Sequence, residues 1–166
     1  MLQHLKRRLI NLPGWHTTRK IVVIDSDDWG SIALPSLEVY KSLRDSGFRM
    51  EFNPYLKYDS LASENDLDAL FSILTSFKDK NGNHPVFTAN TVVANPDFEK
   101  IRSSDFTEYH YELFTETLKK YPKHSKSFDL WRQGIDQCIF YPQFHAREHL
   151  NVRYWMKSLQ AGHPQI

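Results

Sequence analysis

A chain of 166 residues, 40% hydrophobic and 25% charged, has the composition of one globular domain with its own core. A formal net charge of +1 excludes a nucleic-acid binder that works chiefly by neutralising phosphates, and no apolar run approaches a membrane span. Cys138 is the only cysteine, so no intrachain disulfide can form, and a cytoplasmic location is the default expectation.

The first 19 residues read as a basic N-terminal extension. Its cluster Lys6-Arg7-Arg8 is followed by Pro13, Gly14 and Trp15, which interrupt any signal-peptide core, so a solvated helix face is expected. Residues 20–24 contain Ile21-Val22-Val23-Ile24 and read as a short buried strand, bounded by polar residues. A helix is expected over 36–46, after Pro35 and before Gly47. The clearest helix is 63–77, where Ser63 and Asp66 form a capping-box pattern and Leu67, Leu70, Phe71, Leu74 and Phe77 repeat at helical spacing. Asn81-Gly82-Asn83 breaks the chain, and residues 85–93 form a second, β-branched strand. Helices are expected over 109–120 and 128–137, a third strand over 138–141, and a closing helix over 150–159. Strands alternating with helices predict an α/β fold with a parallel sheet and right-handed crossovers. Ligands in such sheets bind beyond the carboxyl ends of the strands.

Two segments fall at such ends. Asp25-Ser26-Asp27-Asp28-Trp29-Gly30 follows the first strand and concentrates negative charge that calls for a cation. The plainer reading is that Asp27 or Asp28 caps the next helix. Gln143-Phe144-His145-Ala146-Arg147-Glu148-His149 follows the third strand. Histidines at i and i+4 share one helix face and can reach a single ion, although eight histidines make one such pair unsurprising. Two imidazoles with one carboxylate suit zinc or another first-row divalent metal. One ion joining the aspartate cluster to His145 and His149 is the expected centre.

These two segments together resemble the polysaccharide deacetylases of the NodB-homology type, within the glycoside hydrolase/deacetylase superfamily of α/β barrels. The resemblance implies that Asp27 is the general base, Asp28 a metal ligand, and His145 and His149 the two metal-binding histidines. It implies a metal-dependent hydrolase acting on N- or O-acetylated sugars of a polysaccharide. Trp29 and Arg147 are expected substrate contacts, the plainer reading being that Trp29 is core and Arg147 a solvated neighbour of Glu148. Trp29 stands where the family usually has glycine, and Ala146 replaces the usual hydroxyl residue after the first histidine.

A closed barrel of strand–helix units takes ~250 residues. A partial barrel is therefore expected, the N-terminal portion of a longer ancestral protein, with open sheet edges that favour self-association. No general acid is identifiable, since His84, His110, His124 and His163 belong to no motif. Weak or absent deacetylase activity is therefore expected of this chain unless a second chain or a further segment completes the site. Two rival readings stand beside the deacetylase. His145 to His149 also matches the HxxEH pattern of inverted zinc peptidases, with Glu148 as base. The other rival is a non-catalytic carbohydrate-binding or assembly module, in which Trp29, Trp131 and Trp155 would stack on sugars if they are not core.

Overall fold

The computed structural model describes residues 6, 9–10, 13–34, 36–53, 55–58 and 60–162. Arg7 and Arg8 of the basic cluster, Pro35 and His163 lie outside the described residues. No described helix is long and apolar enough to cross a membrane.

The elements run β1 (Asp25–Trp29), α1 (Leu37–Asp45), a 3-10 turn (Met50–Phe52), α2 (Tyr55–Tyr58) and α3 (Glu64–Ser76). They continue with β2 (Phe87–Val92), β3 (Ala94–Pro96), α4 (Phe98–Ser103), β4 (Tyr111–Leu113) and α5 (Phe114–Lys120). The described chain closes with α6 (Ser127–Asp136), β5 (Phe140–Ala146) and α7 (Val152–Gln160). The main sheet is parallel, in the order β1-β2-β5, and does not close into a barrel. β3 and β4 form a separate antiparallel pair.

Four sequence expectations shift. The strand expected over 20–24 forms at Asp25–Trp29 instead. Asp25 pairs with Thr88 near the start of β2, so residues upstream of Ile24 have no strand opposite them, and Val22 is 84% exposed. Ile24 alone joins the ladder, its carbonyl accepting from Thr88 N–H at 2.9 Å. The strand expected over 85–93 stops at Val92, and the chain then turns into β3. The helix expected over 109–120 begins only at Phe114, because residues 111–113 pair with β3. The third strand, expected over 138–141, runs to Ala146 and carries His145 itself. The two histidines therefore do not share a helix.

One face of the sheet is packed. Leu67, Phe71 and Leu74 of α3, Leu118 of α5 and Trp131 of α6 meet Ala89 and Phe140 there. α6 lies so close that a Cβ on Gly134 would stand 2.6 Å from the Phe71 ring and 2.8 Å from Phe140 Cβ. Strand alternation sends Asp25, Thr88, Asn90, Tyr141 and Gln143 to the other face. Those residues are mostly polar, which lets a parallel sheet leave that face less covered than usual. Pro142 stands opposite Ala89 within β5.

α3 forms as its pattern predicts. Ser63 Oγ accepts from Asp66 N–H, and Asp66 Oδ2 accepts from Ser63 N–H at 2.9 Å and from Ser63 O–H at 2.6 Å. These hydrogen bonds, the hydroxyl's first, hold the Asp66 carboxyl below its ordinary value. A depressed carboxyl stabilises the fold above its unfolded pKa and loses that contribution as pH falls through the folded value. Ser63→Ala should cost about 1 kcal/mol near neutral pH. Urea titrations should show the wild-type advantage shrinking at pH 3; an equal gap at both pH values would contradict the linkage.

Candidate metal centre

Both strands that carry the site are bulged where the chemistry begins. Ser26 pairs with Ala89 and Trp29 with Thr91, so Asp27 and Asp28 together oppose only Asn90. A bulge re-aims side chains that regular pleating would send to fixed faces. Here it separates the two aspartates. Asp27 Oδ1 accepts a 2.6 Å hydrogen bond from Asn90 Nδ2, whereas Asp28 adopts φ 63°, a left-handed conformation aspartate tolerates better than most residues. β5 has its own irregularity. Thr91 pairs with Phe144 and Val92 with Ala146, leaving His145 as the extra residue.

Asp28 Oδ1 lies 3.6 Å from His145 Nε2 and 2.9 Å from His149 Nδ1. One ligand atom from each of the three residues falls within 4.8 Å of the others. The two imidazoles meet edge-on, with centroids 5.3 Å apart. Asp28 Oδ1 is shielded from solvent yet has no hydrogen-bond partner, so even the 2.9 Å approach lacks hydrogen-bond geometry. A buried carboxylate oxygen without a donor is costly. Its orientation fits a shared cation better than a histidine–aspartate hydrogen bond. The donor set also fits: two imidazole nitrogens and one carboxylate oxygen match a zinc-type centre with coordination positions left for water.

A tight turn fixes Asp28. Ser31 N–H donates to Asp28 O at 3.1 Å, and Gly30 between them has φ 85°. Asn95, buried and unremarked in the sequence, ties this turn to β3. Its Nδ2 donates to Gly30 O at 2.9 Å, and its Oδ1 accepts from Ile32 N–H at 3.1 Å.

Arg147 and Glu148 lie between the two histidines. Arg147 Nε and Nη2 donate to the two Glu148 carboxylate oxygens at 2.5 and 2.6 Å. The guanidinium carbon sits 4.8 Å from the centroid of the Tyr111 ring and 5.7 Å from that of Tyr109. Burial, then the Glu148 charge, pushes the Tyr109 phenol up to about 12 against the opposing pull of Arg147. Glu148, the base of the peptidase reading, thus has its carboxylate bound to a cation. Arg147, expected at substrate, commits two of its five N–H donors to Glu148, and its side chain is half exposed.

Two clefts meet at Asp28. One, of about 190 Å³, is lined by Ser26, Asp27, Asp28 and Ser60 among others. The other, of about 310 Å³, has Asp28 and His149 at one side and Ile32, Phe98, Leu150 and Trp155 among its walls. Of the three tryptophans considered for sugar stacking, Trp155 lines this larger cleft. Trp131 is buried, and the Trp29 ring packs edge-on against Phe87, Trp131 and Phe140.

Three of the described histidines outside the site have other engagements. His84 Nδ1 lies 2.7 Å from Phe77 O, both His124 nitrogens face backbone carbonyls, and His110 lies 3.6 Å from Glu108. No protein-family model, curated protein or solved structure matches the chain.

Proposed function

We propose that the protein is a metal-dependent hydrolase of the deacetylase kind, acting on N- or O-acetylated sugars of a polysaccharide. The observation that carries this reading is the convergence of Asp28, His145 and His149 within 4.8 Å, with Asp27 lining the same cleft as Asp28. Asp28, His145 and His149 would hold one divalent ion, zinc by their chemistry. Such an ion acidifies a water and polarises an acyl carbonyl.

The chain's own residues supply the rest. Asp27 accepts the proton of the attacking water, and Asn90 orients its carboxylate. Water oxygen adds to the acyl carbon, the bond from that carbon to the sugar nitrogen or oxygen breaks, and the departing group takes up a proton. Acetate and the free amine or hydroxyl result. The cleft beside His149 offers Trp155 as a face for a sugar ring.

Metal analysis and acetate release from acetylated chito-oligosaccharides test the reading together. Wild-type protein should take up one equivalent of zinc or cobalt, and Asp28→Ala and His149→Ala should each lose uptake and acetate release. Wild-type protein that takes up no metal on titration would overturn the reading.

A further inference from the structure

We infer that Arg147 and Glu148 are positioning residues, a clamp that sets the distance and direction between the His145 and His149 imidazoles for a divalent ion. The inference rests on the metal-binding reading of those histidines and adds the means by which their loop is held.

Sequence spacing alone does not bring these imidazoles together, because His145 is the last residue but one of β5 and His149 lies in the loop before α7. Three residues must therefore turn the chain reproducibly. Their backbone is anchored first: Ala146 O accepts from Val93 N–H at 3.1 Å, and Arg147 O accepts from Ala94 N–H at 2.8 Å. The side chains then fix the turn beyond that anchor. The Glu148 side chain is only 8% exposed, and its neighbour's guanidinium binds both carboxylate oxygens. Tyr111 and Tyr109 hold the guanidinium from the aromatic side. With Arg147 turned towards the tyrosines and Glu148 bound to it, His145 and His149 are left facing Asp28.

A general base would need a free carboxylate, and both oxygens of Glu148 are taken by Arg147. Arg147 uses two of its five N–H donors in this pairing. Partners that hydrogen-bond metal ligands typically change metal affinity roughly 10- to 100-fold when removed. Arg147 and Glu148 act instead through the chain that joins the two ligands, and an effect on the same scale is expected.

The test uses the full chain, with Arg147→Lys, Glu148→Gln and the double variant Arg147→Ala/Glu148→Ala. The double variant removes both charges, so no unpaired buried carboxylate remains to unfold the protein. Zinc affinity is read by competition with a chromophoric chelator. The visible spectrum of the cobalt form reports coordination geometry, and thermal unfolding without metal reports the fold. We expect affinity to fall roughly 10- to 100-fold in all three, with an altered cobalt spectrum, including in the double variant that unfolds near the wild-type temperature. Affinity and cobalt spectrum unchanged in folded variants would overturn the clamp while leaving the metal centre standing. A wild-type chain that binds neither ion would overturn the metal-binding reading, and the clamp with it.

Discussion

Gly30→Ala should destabilise the protein by about 3 kcal/mol or more, a large share of the roughly 5–15 kcal/mol by which an ordinary domain is stable. Three effects act at one atom. The backbone there has φ 85°, where an L side chain is strained. A Cβ would lie 2.7 Å from Val92 O, a backbone atom held within the sheet, and 3.1 Å from the Phe114 ring. Relief would also displace Gly30 O from Asn95 and loosen the turn that sets Asp28. Circular-dichroism melts should show the loss, and metal uptake should fail in whatever fraction stays folded. A variant with the wild-type melting temperature would mean that the turn has a freedom the packing denies it.

Asp27→Asn should reduce acetate release by roughly 10²- to 10⁴-fold, the usual contribution of a positioned general base, with metal uptake unchanged. The substitution keeps the shape of the side chain and removes its basicity. Asn90 still has a side-chain oxygen to meet at its 2.6 Å contact, so the bulge has no reason to rearrange. Metal content should thus distinguish this variant from His149→Ala, which loses a proposed ligand. Full turnover by Asp27→Asn would remove Asp27 from the reaction and direct attention to another carboxylate.

How much of this was legible in the residues depended on whether the determinant was local. α3 was readable because its capping box and its apolar spacing are both contained in about a dozen consecutive residues. The alternation of strands and helices gave the parallel sheet for a similar reason. The candidate ligands Asp28, His145 and His149 were legible by residue type and by position after strands, and they do converge. The reason offered for their convergence was wrong. Histidines four apart suggest a helix face, whereas His145 is the extra residue of an irregularity in β5 and His149 lies in the loop before α7. Bulges depend on how two distant segments pair, and nothing within Asp25–Trp29 or Phe140–Ala146 announces the extra residue. Asn95 escaped for the same reason. An asparagine between Ala94 and Pro96 reads as a turn residue until the carbonyl of Gly30, 65 positions away, is seen against it. The exposed run at residues 21–23 is the opposite case. Its composition announced a core strand, but β2 begins too late to receive it.

Pro142 makes the two borders of the main sheet unequal. Phe87 N–H donates to Ile139 O at 2.9 Å, which fixes the alternation of β5: the nitrogens of Tyr141 and Gln143 face β2, and that of Pro142 faces outward. Proline has no N–H to offer, so a strand laid along that border would find a missing rung at the centre of β5. The border along Asp25–Trp29 contains no proline. Among the described strands, β5 is thus guarded against accretion of further strands, and strand addition is favoured along β1.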